Sequence, residues 1–118
     1  MKTKIKLIKL NKKNTFFIKK NLDSYFRELN KSKNFIPNKN LFNKLIKDKN
    51  ITKYIVKVKN QNSGFILIKL YKDINNKKIC LIKDFFIEKK FRRKNIGIDS
   101  IKSLMKILKN KKISLIKI

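Results

Sequence analysis

The sequence predicts one α/β domain whose elements follow the order β-α-α-β-β-β-α-β. Its 118 residues are enough for one domain and too few for two. Apolar residues alternate with lysines in some segments, as in half-buried strands, and recur every three or four positions in others, as in amphipathic helices. Hydrophobic residues make up 42% of the chain, which is enough for a core and too many for a disordered basic tail.

The chain begins with a strand and two helices. Ile5, Leu7 and Leu10 alternate with lysines and predict the first strand. Asn14 or Thr15 is expected to cap the first helix, because short polar side chains are favoured at that position. The apolar stripe of this helix consists of Ile18, Leu22, Tyr25, Phe26 and Leu29.

A loop separates the two helices. Residues 30–40 are mostly polar and contain the only proline of the chain, Pro37. The second helix is short, and its apolar residues are Leu41, Phe42, Leu45 and Ile46.

Three strands follow from Ile51. Tyr54, Val56 and Val58 alternate with lysines, and a turn cluster at 60–64 then predicts a hairpin whose second strand covers 65–71. After a second turn, at 72–76, the third strand runs from Lys78 to about Ile87. Its last residues are all apolar, as expected for a central strand covered on both faces.

The last part of the chain contains a helix and a strand. Residues 88–95 predict a basic loop, and the helix after it ends near Lys109. The apolar stripe of this helix is Ile98, Ile101, Leu104, Met105 and Leu108. A short strand is predicted from Ile113, Leu115 and Ile116.

The charge alone is a weak guide to function. The net charge of +27 and the pI near 10.4 are typical of nucleic-acid-binding proteins. However, Lys, Ile and Asn make up 66 of the 118 residues and alanine is absent, so the common residues are those with A/T-only codons. This pattern favours a lysine-rich background over a selected nucleic-acid surface. The aromatic and basic strand signatures of RNA-binding modules are also lacking.

Several other classes are excluded. The N-terminus has no continuous apolar run of a secretory signal, and no stretch approaches the roughly 20 apolar residues of a membrane helix. The single cysteine, Cys80, excludes an internal disulfide, and the absence of histidine leaves no zinc site and no histidine-based catalysis. The sequence thus predicts a cytoplasmic protein without a metal or a membrane partner.

The candidate site is the segment 84–98, where a buried strand leads through a basic turn into a helix. Helix N-termini bind phosphate through free N–H groups and the helix dipole. Arg92, Arg93 and Lys94 add positive charge, and Gly97 lets the backbone approach a ligand closely. Two of the three arginines and one of the two glycines of the chain lie here. The alternative is a solvated loop with a glycine near a helix start.

These residues resemble a family motif. Arg92-Arg93-Lys94-Asn95-Ile96-Gly97 is similar to motif A of the GNAT family of acetyl-CoA-dependent N-acetyltransferases, Q/R-x-x-G-x-G/A. It matches at Arg92 and Gly97, whereas Asn95 replaces the first glycine; asparagine tolerates the positive φ of that position. The preceding apolar strand fits the family pattern too, and the element order is that of the first two thirds of the family fold.

The resemblance implies a fold and a set of site residues. The fold is a mixed, mostly antiparallel sheet within a single domain, 1–118, that lacks the last helix and strands of the family. The strand backbone at Phe86 and Ile87 would hydrogen-bond the pantetheine arm of acetyl-CoA. Asp84 would receive a proton from the acceptor amine, or else cap a turn or pair with a lysine. The pyrophosphate would lie on the N–H groups of Arg93, Lys94, Asn95, Ile96, Gly97 and Ile98.

The function that the resemblance implies is acetyl transfer to a primary amine, of a small molecule or a protein, by direct attack. Two alternatives stay open: a catalytically inactive GNAT-like module that binds CoA or regulates a partner, and a basic nucleic-acid-binding protein. The predicted partners are acetyl-CoA, an amine acceptor and a second copy of the chain, which would pair with the exposed edge of the last strand.

Overall fold

The element order of the structure is the predicted one. The computed structural model describes residues 5–29 and 39–117, so most of the loop expected at 30–40, including Pro37, lies outside the described residues. The strands are β1 (Ile5–Lys9), β2 (Ile51–Val58), β3 (Gln61–Lys72), β4 (Lys78–Ile87) and β5 (Leu115–Lys117). The helices are α1 (Thr15–Leu29), α2 (Lys39–Lys47) and α3 (Ile96–Asn110).

The strands form one mixed sheet in the sequential order β1-β2-β3-β4-β5. Each of the first three neighbouring pairs is antiparallel. Short turns join β2 to β3 and β3 to β4, whereas α1 and α2 lie between β1 and β2 in the chain. The last pair is parallel, since α3 carries the chain back from the end of β4 to its beginning. This sheet confirms the predicted mixed, mostly antiparallel architecture.

One face of the sheet is covered by α1 and α2, and the other face is covered by α3. On one face, Ile18 and Leu22 of α1 and Phe42 of α2 pack against Phe65 and Phe86. On the other face, Ile96, Leu104 and Leu108 of α3 pack against a second set of strand residues that includes Ile66, Ile68, Cys80 and Ile82. The predicted burial of both faces of β4 is confirmed, because Phe86 and Ile87 are buried on opposite faces.

Three local predictions differ from the structure. The capping residue is Asn11 and not Asn14 or Thr15, because a short 3-10 turn, Lys12–Asn14, precedes α1. The Asn11 side chain accepts hydrogen bonds from the N–H groups of Lys13 and Asn14. Lys59 and Asn60 alone make the β2–β3 turn, both with positive φ, and β3 starts at Gln61. The loop expected at 88–95 contains a 3-10 helix, Lys89–Lys94.

An irregularity in β4 determines which side chains face α1. The β3–β4 register pairs Leu67 with Asp84 but Ile68 with Ile82, so Lys83 is an extra residue without a partner. Such a bulge reverses the alternation of side chains between the two faces. Ile82 therefore faces α3, whereas Asp84 and Phe86 face α1.

Two further features concern residues 5–29 and 39–117 only. None of their helices is long and apolar enough to cross a membrane. They also contain no group of three or more His, Cys, Asp or Glu side chains that could hold a metal ion.

Candidate active site

A cleft of about 390 Å³ lies at the end of β4. Its lining includes side chains from both faces of the sheet, so it opens at the edge of the strand. This edge is accessible because β5 pairs only with Ile79, Cys80 and Leu81, and no described strand covers β4 beyond that point. The lining residues are Tyr25, Glu28, Leu29, Phe85, Phe86, Ile87, Arg92 and Gly97.

Tyr25 of α1 connects the cleft to Asp84. Its hydroxyl donates a hydrogen bond of 2.7 Å to Oδ1 of Asp84, and its ring packs edge-on against Phe65 and Phe86. Burial, followed by the hydrogen bond to Asp84 and the charge of that carboxylate, raises the pKa of Tyr25 above its ordinary value. The phenol is therefore protonated and fixed in orientation beside a carboxylate.

Arg92 crosses the cleft and is bound within it. Nε donates to the carbonyl oxygen of Ile87 at 2.6 Å, and Nη2 donates to Oε2 and Oε1 of Glu28 at 2.8 and 3.1 Å. The guanidinium also lies over the Phe86 ring, with Cζ 5.3 Å from its centroid. Arg92, which was expected to contact phosphate, thus joins α1 to the end of β4. Its hydrogen bond also occupies the Ile87 carbonyl, which the resemblance assigns to the pantetheine arm.

The turn into α3 is made at Asn95. Asn95 adopts a left-handed conformation (φ 57°, ψ 25°), as expected from its replacement of a glycine. Its side chain makes no capping hydrogen bond, so the first turn of α3 is not capped by Asn95. A Cβ atom added at Gly97 would have no atom within 4 Å, so there is open space beside this turn.

The structure places only some of the predicted site residues at the cleft. The cleft is lined by four of them: Phe86, Ile87, Arg92 and Gly97. Asp84 is not among the lining residues and is connected to the cleft by its hydrogen bond with Tyr25. Ile96 is buried in the core beneath α3, whereas Ile98 is exposed. The backbone of Arg93 and Lys94 forms the end of the 3-10 helix.

Two polar residues of the cleft were missed at the sequence level. Tyr25 belongs to the apolar stripe of the first helix, which predicts a core position for it, and Glu28 lies outside that stripe. Their spacing of three residues puts them side by side on a helix. Only the packing of α1 over β4 shows that they face the cleft.

The structure resembles known acetyltransferases. Neither a protein-family model nor a curated protein sequence matches this chain. Among solved structures, a ribosomal-protein-alanine N-acetyltransferase from Brucella melitensis superposes with a TM-score of 0.77, at 14% identity over 97% of this chain and 78% of that one.

Two bacterial structures are similar in the same way. A GNAT family acetyltransferase from Staphylococcus aureus gives a TM-score of 0.75, at 16% identity over 96% of this chain and 84% of that one. A predicted acetyltransferase from Clostridium acetobutylicum, solved with acetyl-CoA, gives 0.68, at 18% identity over 96% and 79%. This chain therefore has the GNAT N-acetyltransferase fold.

Proposed function

We propose that this protein transfers an acetyl group from acetyl-CoA to a primary amine. One observation carries the proposal: the free edge of β4, the start of α3, where the Asn95 side chain makes no capping hydrogen bond, and the open space at Gly97 meet in one cleft. The acetyl-CoA in the Clostridium acetobutylicum structure supports this choice of donor. The reaction would take place in the cytoplasm.

The residues present are suited to bind acetyl-CoA. The N–H groups at the start of α3 are potential donors to the pyrophosphate, and an anion is stabilised there by the helix dipole. The backbone of Phe86 and Ile87 would bind the pantetheine arm along the edge of β4. For this, Arg92 has to release the Ile87 carbonyl, and its guanidinium then becomes available to a phosphate.

Catalysis would depend mainly on positioning. The amine attacks the thioester carbonyl directly, and holding the two reactants together supplies much of the rate enhancement. Asp84, which accepts a hydrogen bond from the cleft-lining Tyr25, would accept the proton that the amine loses. The acceptor is a small amine or a protein amino group; the ribosomal-protein-alanine N-acetyltransferase supports the second.

A pair of assays tests the proposal. Acetyl-CoA at about 100 times its Kd should stabilise the fold by about 2.7 kcal/mol, which raises Tm by several degrees. The protein should then release free CoA thiol in the presence of one of a panel of amines. Gly97→Leu fills the cleft and should abolish the thermal shift, whereas Lys102→Leu, at an exposed position of the same helix, should retain it. An unchanged Tm at millimolar acetyl-CoA contradicts the proposal.

The inactive CoA-binding module is the second candidate. The position of Asp84 favours it, because this carboxylate is not among the residues that line the cleft and accepts a hydrogen bond from Tyr25. A thermal shift with acetyl-CoA but no thiol release with any amine would identify this function. Weak, sequence-independent binding to nucleic acid is expected of any protein with this charge and supports neither candidate.

We also propose that two copies associate through β5. Leu115 and Met105 are exposed beside the outer edge of this strand, which no described strand covers. An apolar strand edge is a template for pairing with another chain. Light scattering at 0.3 M salt, where lysine repulsion is screened, should show a dimer, and Leu115→Lys should convert it to a monomer. A monomer at high concentration and high salt contradicts the dimer.

A further inference from the structure

A second cavity, called the hairpin cavity below, lies at the start of β4, whereas the cleft lies at its end. Its volume is about 420 Å³, which is within the range of small-molecule sites. Its lining residues include none of those that line the cleft. The ten residues of β4 separate the two by about 25–30 Å. The hairpin cavity is lined by Leu70, Tyr71, Lys72, Lys78, Lys111 and Ile113.

The fold brings three lysines to this cavity from two directions. Lys72, at the end of β3, is directly opposite Lys78, at the start of β4. By strand alternation, Lys72 lies on the same face as Leu70, which packs on the α3 side of the sheet. The third lysine, Lys111, follows directly after the end of α3 at Asn110. The hairpin and the end of the helix thus contribute positive charges to one concave surface.

These charges are not balanced within the described part of the chain. Like charges directly opposite each other on neighbouring strands are destabilising. None of the ion pairs between described residues includes Lys72, Lys78 or Lys111. The carboxylate of the intervening turn, Asp73, is used inside that turn, where Oδ1 accepts hydrogen bonds of 2.9 Å from the N–H groups of residues 75 and 77.

The end of α3 reduces this positive charge only in part. A helix C-terminus carries the equivalent of about half a negative charge, and its effect is confined to the last turn. The carbonyl groups of Leu108 and Lys109 there also accept hydrogen bonds from backbone N–H groups of the following turn. Three lysine charges exceed half a negative charge, so the hairpin cavity favours an anion.

The cavity differs from the lysine-rich surface in its shape and its apolar walls. A cross-strand lysine pair alone is no sign of a site, because Lys6 and Lys57 are also directly opposite each other. The hairpin cavity adds a third lysine to such a pair. It also adds Leu70 and Ile113, two apolar residues that border the core on the α3 side of the sheet. A ligand that fits both features has an anionic part and an apolar part.

We propose that the hairpin cavity binds a small aromatic phosphate monoester. Such a phosphate carries a charge of about −1.5 to −2 at pH 7, which three lysines balance better than they balance a single carboxylate. Lysine binds phosphate as a point charge and does not need the planar geometry of arginine. The aromatic part would lie against Leu70, Tyr71 and Ile113. This site is separate from the cleft and does not depend on the acetyltransferase function.

Calorimetry with three probes tests the chemistry of the site. The probes are adenosine monophosphate (AMP), adenosine and inorganic phosphate, at about 0.1 M salt to screen weak long-range attraction. AMP should bind at least about tenfold more tightly than either of the other two, because only AMP has both parts. Equal affinity for adenosine would show that the lysines do not bind the phosphate. Equal affinity for inorganic phosphate would show that the apolar walls make no contribution. Either result overturns the proposal.

Matched double variants test the location. Lys72→Gln with Lys78→Gln should weaken AMP binding at least about tenfold, since it removes two of the three charges. Lys6→Gln with Lys57→Gln removes the same charge from the other cross-strand pair and should change the Kd less than about twofold. Equal weakening in both would mean that AMP follows the net charge of the protein and has no site at the hairpin cavity.

A variant of the cleft and a spectroscopic readout complete the test. Gly97→Leu should leave AMP binding unchanged, because this residue lines the cleft and not the hairpin cavity. In the wild type, AMP should shift the amide NMR signals of Lys72, Lys78 and Lys111. Loss of binding in Gly97→Leu, or shifts confined to the residues that line the cleft, would place AMP in the cleft and overturn the proposal. Neither result would affect the proposed acetyl transfer.

Discussion

The two glycines have opposite surroundings at the scale of single residues. A Cβ added at Gly64 would collide with the carbonyl oxygen of Phe86 and the Cα of Ile87. A Cβ added at Gly97 would meet nothing, and its φ is negative. The close approach of β3 to β4 therefore requires glycine at position 64. At position 97, neither a steric contact nor the backbone conformation requires glycine.

The same substitution should have opposite effects at the two positions. Gly64→Ala is expected to cost about 2–3 kcal/mol because the strands must separate. Gly97→Ala should stabilise the protein by about 0.5–1 kcal/mol, since alanine is the better helix former. Urea unfolding of both variants measures the two changes, and each serves as the control for the other. Equal losses of stability would contradict the packing described here.

Glu28 should oppose donor binding, because it competes with phosphate for the Arg92 guanidinium. The ion pair is partly exposed, so its contribution is at most about 1 kcal/mol. Glu28→Gln is therefore expected to tighten CoA binding about two- to fivefold, measured by calorimetry. Asp23→Asn makes the same change of charge at an ion pair with Arg27 and should have little effect. Weaker binding in Glu28→Gln would show that Arg92 contributes to the site only when Glu28 holds it.

At the scale of secondary structure, the junction between β4 and α3 depends on Asn95. The 3-10 helix ends there, the backbone turns through a left-handed conformation, and the carbonyl of Asn95 accepts the first hydrogen bond of α3 from Asp99. Glycine and asparagine adopt this conformation readily, and β-branched residues do not.

Substitutions at Asn95 should follow this backbone preference. Asn95→Gly is expected to keep the stability within about 0.5 kcal/mol, and Asn95→Val should lose about 1–2 kcal/mol because its backbone is strained in this region. Thermal unfolding of the two variants gives the comparison. If valine is tolerated as well as glycine, the turn into α3 is not left-handed.

At the scale of the whole molecule, the charge of +27 opposes compaction. The described residues include four ion pairs, all of them partly exposed, which offset little of this repulsion. Salt screens such charges, since the Debye length falls from about 30 Å at 0.01 M to about 10 Å at 0.1 M. The stability of this chain should therefore depend on ionic strength more than that of a neutral domain.

We expect Tm to rise by several degrees between 10 and 300 mM NaCl. Calorimetry or circular dichroism measures the change. Sodium fluoride at the same ionic strength should give a similar rise if screening is its cause. A Tm that does not change, or that falls with added NaCl, would show that self-repulsion does not limit the stability.

The sequence determined the order and type of the elements. Alternation and helical spacing act over a few residues, so they predicted β1 through β5 and all three helices from local pattern alone. The glycine and arginines of the turn into α3 also marked the candidate site, because rare residues stand out in a lysine-rich chain. Turn details were less predictable: a two-residue turn at Lys59 and Asn60 and a cap at Asn11 each depend on hydrogen bonds that the pattern does not specify.

The tertiary structure alone decided what lines the cleft. Tyr25 and Asp84 are 59 positions apart, and Glu28 and Arg92 are 64 apart, so no local pattern connects them. The extra residue Lys83 turns Asp84 toward α1, and one such bulge reverses the facing of every later side chain in the strand. The sequence thus determined that a basic turn containing a glycine follows a buried strand. Packing and register decided that Arg92 is held by Glu28 and that Tyr25 stands between Asp84 and the cleft.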